Sequence, residues 1–186
     1  NIRGVSKWRV QTLIDGVPIQ TDRRAGSAAE FLPSVFISSI NVVYGSASTY
    51  FGSGALGGAV DFRLVDSPRS FLKLGLEANG SYRTIAGQWH KSSWTMATAA
   101  SKKNNSEDAE GQRLNDKFEQ VTGLIHYRET NNPDHNGWVI ISKGRDIGKS
   151  NSDFPNKRIT FYPTNDHLLL KYQMPIFSGS MTLHLH

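Results

Sequence analysis

Apolar and polar residues alternate with a period of two in the second half of the chain, and this pattern constrains the fold most. In the segment 71–82 the alternation runs as far as Gly80, with Leu72, Leu74 and Leu76 on one face, opposite Lys73 and Glu77. Successive side chains of a β-strand point to opposite sides, so the segment predicts a strand between an apolar and a polar environment. The pattern recurs at 121–128, 168–174 and 180–186, and more weakly at 93–102.

Two β architectures offer one apolar and one polar environment to every strand. A soluble sandwich provides a dry core and water, whereas a transmembrane barrel provides lipid and a wet lumen. Long polar connections at 101–117 and 143–167 alternate with shorter ones at 130–137 and 175–179. Barrels of the bacterial outer membrane have long loops on one side and short turns on the other, so the connections favour a barrel. Periodicity alone leaves both architectures open.

Residues 1 to about 66 follow different rules and predict a small α+β unit. Asp15-Gly16 stands between two apolar runs and indicates a tight turn, after which Pro18 favours an edge strand. Further on, the sequence predicts a short helix that opens at Pro33, a buried strand at 40–44 and another strand at 57–65.

Composition narrows the possible functions. The formal net charge is +5, but the basic residues are scattered rather than clustered in a stripe, which disfavours nucleic-acid binding. The chain contains no cysteine, so disulfides, thiolate zinc sites and cysteine nucleophiles are excluded. It has no apolar run of about 18 residues, the length that a membrane-spanning helix requires. Because it opens at Asn1 without an initiator methionine, we expect it to be part of a longer protein.

No residue pattern predicts an enzyme. Ser53 lies in a Gly-Ser-Gly segment without the nucleophile-elbow pattern or a partnered histidine and aspartate. His184 and His186 share one strand face and could hold a metal, but polar residues facing a lumen would show the same alternation. We therefore predict no catalytic and no metal-binding residues.

Four segments of the first unit carry a family resemblance. They are IRG at 2–4, LIDGVPI at 13–19, INVVYGSAS at 40–48 and YFGSGALGGAVDF at 50–62. In this order and spacing they resemble the plug domain of TonB-dependent outer-membrane receptors. The resemblance implies an α+β plug domain followed by antiparallel transmembrane strands of a barrel of about 22 strands. Residues 1–66 would then be a plug lacking its N-terminal part, and residues 71–186 about six or seven of the first barrel strands.

The same resemblance implies active transport of a scarce nutrient, a ferric siderophore or haem, across the outer membrane. The implied partners are the TonB–ExbB–ExbD complex, a small-molecule metal chelate and outer-membrane lipid, with no nucleic acid and no resident cofactor. The implied location is the outer membrane of a Gram-negative bacterium, as a multi-pass β-barrel. A soluble β-rich binding or adhesion module remains the alternative.

In this family, ligand is met by plug loops that follow the segments IRG and DGVPI and by barrel loops. Aromatic faces suit a macrocyclic ligand, and basic side chains suit an anionic ferric chelate. The ligand-binding residues that the resemblance implies are Lys7, Trp8, Gln20, Asp22, Arg23, Arg24 and Phe31. A second candidate surface, at 143–166, contains Arg145, Lys149, Lys157, Arg158, Phe161 and Tyr162.

Glycines are dense at 52–58 and predict close approach of one backbone segment to another. A phosphate cradle is disfavoured because the segment lacks the Lys-Ser/Thr ending of a P-loop, and the residues after Gly58 predict a strand rather than a helix. The residues expected to maintain the plug structure are Arg3, Gly4, Asp15, Gly16, Gly45, Gly52, Gly54, Gly57 and Gly58.

Overall fold

The computed structural model describes residues 10–19, 29, 31–45, 48–65, 69–114, 116–145, 149–151, 154–159, 164–176 and 179–185. The chain divides into two compact units, residues 1–66 and 67–186, and each is described by itself. In the ranges given, no helix has the length and apolar character needed to cross a bilayer.

A four-stranded mixed sheet forms the first unit. Its strands lie in the order β2-β1-β4-β3, with β1 parallel to β4 and the other neighbours antiparallel. A short helix, α1, precedes β4 in the chain, and 3₁₀ turns occupy Ser34–Phe36 and Ser53–Ala55. The elements are β1 (Val10–Ile14), β2 (Val17–Ile19), β3 (Ile37–Tyr44), α1 (Ser48–Phe51) and β4 (Gly58–Leu64). The predicted α+β unit is confirmed.

The Asp15-Gly16 turn joins β1 to β2 and is fixed to β4 by two carboxylates. Both turn residues have positive φ, +47° and +79°, which matches the hairpin signal of the sequence. The Gly16 N–H donates to Asp61 Oδ1 at 3.0 Å, and the Leu64 N–H donates to Asp15 Oδ1 at 3.1 Å. The turn is therefore held against the neighbouring strand, and β2 lies at the sheet edge, as Pro18 predicted.

The sequence predicts a strand at 40–44 with buried side chains, and the predicted burial is wrong. The strand exists, but it begins earlier, at Ile37, and its side chains from Ser38 onward are exposed, with Tyr44 at 63%. The reason is its position: β3 is an edge strand that pairs with β4 in the described sheet. The core of the unit is built instead from Leu13, Ile14 and Phe36, which are fully buried.

Glycines in the 45–58 region serve two different needs. Gly45, Gly52 and Gly58 have φ of +86°, +83° and +136°, a backbone conformation that side chains with a Cβ rarely adopt. Gly54 leaves room for Gln11, because a Cβ at Gly54 would overlap the Gln11 side-chain oxygen. The close approach expected from the sequence thus exists at Gly54, but a side chain rather than a backbone makes it.

The second unit is a seven-stranded antiparallel sheet in the order β13-β12-β9-β8-β7-β6-β5, with a separate β10–β11 hairpin. Its strands are β5 (Phe71–Glu77), β6 (Tyr82–Lys91), β7 (Trp94–Lys103), β8 (Phe118–Arg128), β9 (Asn136–Arg145), β10 (Lys149–Asn151), β11 (Phe154–Ile159), β12 (Thr164–Ile176) and β13 (Gly179–Leu185). The seven strands of the described main sheet agree with the six or seven expected from the chain length. The fold is a plug-type domain followed by antiparallel strands of a partial barrel.

The first predicted strand of this sheet ends earlier than its alternation suggested. β5 stops at Glu77, and the alternating positions beyond it form a turn in which Gly80 and Ser81 have positive φ. The period-two alternation of the sequence did not predict strands β6 and β9. In β6 the period-two face includes Gly87 between Ile85 and Trp89, so the apolar signal is interrupted at its centre.

Candidate functional site

An exposed apolar surface, here called the apolar band, covers one face of the seven-stranded sheet. Leu72, Leu74 and Leu76 are 72%, 70% and 85% exposed, and the strand register places exposed apolar residues from each of the seven strands on that same face. Soluble monomers rarely expose a continuous apolar surface of this extent. The larger members of the band are Leu72, Leu74, Leu76, Ile85, Trp89, Trp94, Met96, Val121, Ile125, Ile141, Leu168, Tyr172, Met181, Leu183 and Leu185.

Aromatic side chains gather at the end of the apolar band nearest the short turns. The rings of Trp94 and Tyr127 have centroids 4.9 Å apart, and His135 stands edge-on between Tyr127 and Tyr172. His135 Nε2 lies 2.7 Å from the Tyr172 hydroxyl, and its Nδ1 lies 2.7 Å from a Glu129 carboxylate oxygen. Amphipathic rings of this kind are typical of the boundary between lipid and water.

The opposite end of the same face, nearest the long connections, carries charges. This charged row comprises Arg83, Lys102, Glu119, Lys143, Arg145 and Asp166 on five adjacent strands. Lys102 forms an ion pair with Glu119. The register also places Arg145 opposite Glu119 and Lys143 opposite Asp166. The apolar band is thus bounded by aromatic rings at one end and by charges at the other.

The other face of the sheet mixes polar groups with apolar side chains. The Thr122 and Ser142 hydroxyls lie 2.9 Å apart, both buried, and Gln120 donates to Ser142 at 3.2 Å. His90 and Thr95 are in hydrogen-bond contact at 2.9 Å on the same face. Buried polar groups that are hydrogen-bonded in this way are compatible with the polar inner wall of a barrel.

Two connections on the charged side pack together into what is here called the loop platform, residues 78–81 with 104–114 and 116–117. The Asn79 side chain donates to the Glu107 carbonyl at 2.8 Å and accepts from the Glu107 N–H at 2.9 Å. The Asn104 N–H also donates to the Gly80 carbonyl at 2.7 Å. The tip of the longer connection is shaped by Asp108, which accepts the N–H of Glu110 at 3.0 Å.

Asp116 is the centre of this platform. One of its oxygens accepts from Lys103 Nζ at 2.7 Å and from the Ser106 hydroxyl at 2.5 Å, and the other accepts the Ser106 N–H at 2.8 Å. Partial burial of the carboxyl acts to raise its pKa, but the hydrogen bonds from Lys103 and Ser106 outweigh this effect and lower the pKa. Asp116 is therefore a charged brace that joins both ends of the loop.

The predicted ligand-binding residues fall largely outside the described parts of the chain. This applies to Lys7, Trp8, Gln20, Asp22, Arg23 and Arg24, and also to the structural residues Arg3 and Gly4. Phe31 is described and is a buried core residue, 1% exposed. Contact with ligand stays a prediction for all seven residues.

Of the six residues named on the second candidate surface, only Arg145 has a described side chain. Arg145 is exposed and belongs to the charged row, on the same face as the apolar band. Lys149, Lys157 and Arg158 lie on β10 and β11, whose side chains are not described, while Phe161 and Tyr162 fall outside the described ranges. The His184 side chain and His186 are likewise not described. Elsewhere in the described chain, no three histidine, aspartate or glutamate residues group to hold a metal.

Two features of the site were missed by the sequence reasoning. Asp116 lies in a long polar connection, where nothing distinguishes it from its charged neighbours until the loop is folded. The charged row could have been found, since Arg83 and Lys102 continue the period-two face of their strands.

Comparison with known proteins extends this picture. Residues 1–59 match the family described as TonB-dependent Receptor Plug Domain. The heme/hemopexin utilization protein C of Haemophilus influenzae is 40% identical over 87 residues, which cover 45% of this chain and 12% of that protein. The hemin receptor of Yersinia pestis is 39% identical over 66 residues, covering 36% of this chain and 10% of the receptor. The matched part thus spans about an eighth or less of these curated relatives.

The fold also matches a solved structure along most of the chain. A structure titled copper transporter OprC superposes with a TM-score of 0.64 at 14% identity, covering 97% of this chain and 29% of that one. At this identity the likeness concerns the fold alone. The superposed part includes residues of both units of this chain.

Proposed function

We propose, from the premise that this chain belongs to the TonB-dependent receptors, that the whole protein takes up haem or a similar iron chelate across the outer membrane. Proteins of this family are receptors rather than enzymes, and the present chain is not an enzyme. The observation that carries the proposal is the apolar band, bounded by aromatic rings and charges, in a chain that also has a plug-type domain. A surface of this kind is suited to contact with the hydrocarbon of a lipid bilayer. Transport across the outer membrane requires a protein that spans this bilayer.

Haem is the preferred nutrient because of the names of two proteins that are similar to this chain in sequence. The names of the Haemophilus and Yersinia proteins refer to heme and hemin, and both proteins are about 40% identical over the regions that match. The copper transporter is similar in fold but far less so in sequence, so it gives no reason to prefer copper. A ferric siderophore is the second candidate. In either case the metal compound is the substrate and not a resident cofactor.

The proposal includes partners and location. The whole protein would lie in the outer membrane of a Gram-negative bacterium as a multi-pass β-barrel. The TonB–ExbB–ExbD complex would supply the energy for rearranging the plug domain. Within the first unit, the carboxylate-held Asp15-Gly16 turn and the Gln11–Gly54 contact make the sheet a compact body suited to moving as one piece.

A soluble β-rich binding or adhesion module is the competing function, and one observation counts against it. In a sandwich the leucines of β5 would form a dry core, whereas here they are the most exposed part of a wide apolar face. Covering that face requires either lipid or a second sheet of similar size. The described sheet has hydrogen-bonded polar groups on its other face, as a lumen wall would.

Growth on defined iron sources tests the proposal. A strain lacking its own haem receptor would be complemented with the full-length gene and supplied with haem, ferric citrate or a ferric siderophore as sole iron source. We expect growth on haem, and loss of that growth when TonB is deleted, because uptake against a gradient needs the energy-coupling partner.

Two results would contradict the proposal. Growth on haem that persists without TonB would contradict the proposed energy coupling. Growth on a siderophore but not on haem would contradict the choice of haem as the nutrient. Recovery of the full-length product as a detergent-free monomer in buffer would support the soluble module. A strain carrying the empty vector provides the matched control.

A further inference from the structure

We propose that Tyr172, His135 and Glu129 form a redox site that reduces lipid peroxyl radicals at the edge of the bilayer. Tyr172 is the electron donor, His135 is the base that takes its proton, and Glu129 positions that base. This inference goes beyond nutrient uptake: it rests on the sheet facing lipid and is independent of the nutrient carried. The three residues belong to the second unit, on β12 and in the turn between β8 and β9.

The turn between β8 and β9 brings Glu129 and His135 together. The Glu129 N–H donates to the His135 carbonyl at 3.0 Å, and the His135 N–H donates to the Asn132 carbonyl at 2.9 Å. With the two ends of the turn joined in this way, a Glu129 carboxylate oxygen lies 2.7 Å from His135 Nδ1. The turn and the carboxylate together fix the position of the imidazole ring.

Tyr172 reaches the same imidazole from β12, across β9. Its register partner on β9 is Gly137, and a Cβ at Gly137 would stand 3.2 Å from the Tyr172 ring and 2.8 Å from the Lys171 carbonyl oxygen. The missing side chain at Gly137 therefore leaves room for the Tyr172 ring. The Tyr172 hydroxyl lies 2.7 Å from His135 Nε2, and Tyr172 is 40% exposed. The phenol is thus hydrogen-bonded to the imidazole and still open to its surroundings.

The contacts of His135 assign the proton to one ring nitrogen. An ionised carboxylate only accepts hydrogen bonds, so Nδ1 carries the proton that is donated to Glu129. In the neutral ring Nε2 is then the acceptor, and it receives the hydrogen bond of the Tyr172 hydroxyl. Tyr172 therefore faces a base. The Tyr127 ring meets the same imidazole edge-on, but among the described residues its hydroxyl has no hydrogen-bond partner.

This arrangement suits the one-electron oxidation of a phenol. Tyr172 gives one electron to a peroxyl radical, which becomes a peroxide anion, and the phenolic proton moves to His135 Nε2. The products on the protein are a neutral phenoxyl radical and an imidazolium, and the adjacent Glu129 carboxylate stabilises the imidazolium charge. The peroxide anion takes a proton from water to give a hydroperoxide and hydroxide.

The position of Tyr172 in the sheet favours a lipid-borne oxidant. Tyr172 lies at the end of the apolar band nearest the short turns, among aromatic rings typical of the boundary between lipid and water. A peroxyl group is more polar than the acyl chain that carries it, so it is displaced from the hydrocarbon toward this boundary. A hollow of about 470 Å³ beside His135 and Tyr172, lined also by Ile125, Val139 and Leu170, has room for the oxidised part of such a chain.

Radical formation in lipid vesicles tests the site. The full-length protein, inserted into vesicles of unsaturated phospholipid, is exposed to peroxyl radicals from a lipid-soluble azo initiator, and electron paramagnetic resonance follows the tyrosyl radical in frozen samples. We expect Tyr172→Phe to remove the fastest phase of radical formation. His135→Gln keeps a hydrogen-bond acceptor but has no nitrogen that can take the proton, so this phase should be at least about tenfold slower. With isotope-labelled histidine, the wild-type radical should show magnetic coupling to one imidazole nitrogen.

Tyr127→Phe is the matched control, because it removes a phenol that contacts the same imidazole on the same sheet face but does not face a base. It should leave the fastest phase unchanged. Absence of a tyrosyl radical in the wild type would overturn the proposal, and so would a wild-type rate in Tyr172→Phe or in His135→Gln. An equal loss in Tyr127→Phe would also overturn it. Heat-dependent migration in gels confirms that each variant is folded before rates are compared.

Discussion

Removing the Asp116 carboxylate should open the loop platform without unfolding the sheet. The carboxylate accepts three hydrogen bonds, two from Ser106 and one from Lys103. Asp116→Ala would leave the buried Ser106 groups and the Lys103 ammonium without that acceptor. Hydrogen bonds to charged groups contribute about 1.5–3 kcal/mol each, but both members of the Lys103–Asp116 pair are about a quarter exposed. We therefore expect the free energy of local opening to fall by about 2–3 kcal/mol in total.

Hydrogen exchange of the full-length protein in detergent measures this opening. A loss of about 2–3 kcal/mol corresponds to about 30- to 150-fold faster exchange where opening is local. The effect should appear at the Ser106 amide and at the Leu114 amide, which donates to the Ser106 carbonyl. Amides in the centre of β8 should be unaffected. Asp108→Asn is the control, because Asp108 braces the loop tip and not its ends.

The same brace predicts a pH dependence with a defined sign. The folded protein lowers the Asp116 pKa below its ordinary value of 3.8. The carboxylate therefore contributes its full stabilisation above about pH 4, and the contribution is lost as the pH falls through the lowered pKa. Protection of the 104–117 amides, corrected for intrinsic exchange, should be constant from about pH 7 to about pH 5 and fall in strongly acidic buffer. Unchanged exchange in Asp116→Ala, or a loss of protection already within that neutral to mildly acidic range, would refute the assigned brace.

Two further predictions concern the two faces of the sheet and the glycine segment. Ile125→Arg places a charge within the apolar band and should destabilise insertion into lipid vesicles by about 2–4 kcal/mol, measured by urea titration of the inserted fraction. Lys73→Glu, on the opposite face of β5, should change the free energy of insertion little. Equal effects of the two substitutions would contradict the orientation of the sheet. Gly54→Ala should destabilise the first unit by about 1 kcal/mol, because its Cβ displaces only the flexible end of the Gln11 side chain, measured by the rate of proteolysis within residues 1–66. The second substitution Gln11→Ser should recover most of that loss, and a double variant no more stable than Gly54→Ala would exclude this contact as the cause.

The sequence alone was sufficient for features that depend on local geometry. The side-chain period of a strand is fixed by the backbone, so the leucines of β5 could be assigned to one face before any pairing was known. The Asp15-Gly16 turn was likewise predictable, because positive φ is accessible to few residue types. The order and spacing of four segments, among them this turn and the glycine segment, were enough to indicate the resemblance to a plug domain. Strand ends were less certain, since β5 stops where Gly80 and Ser81 turn the chain.

Features that depend on distant parts of the chain were decided by the tertiary structure. The apolar run of β3 predicted burial, but its position at a sheet edge leaves it exposed, whereas Phe31 is enclosed in the core. Asp116 acquires its role from Lys103 and Ser106, which reach it only when the loop closes. Alternation tells which residues share a face of one strand. Only the pairing register of neighbouring strands aligns those faces into a single apolar band with a charged row at its end, because register depends on the hydrogen bonds of the whole sheet.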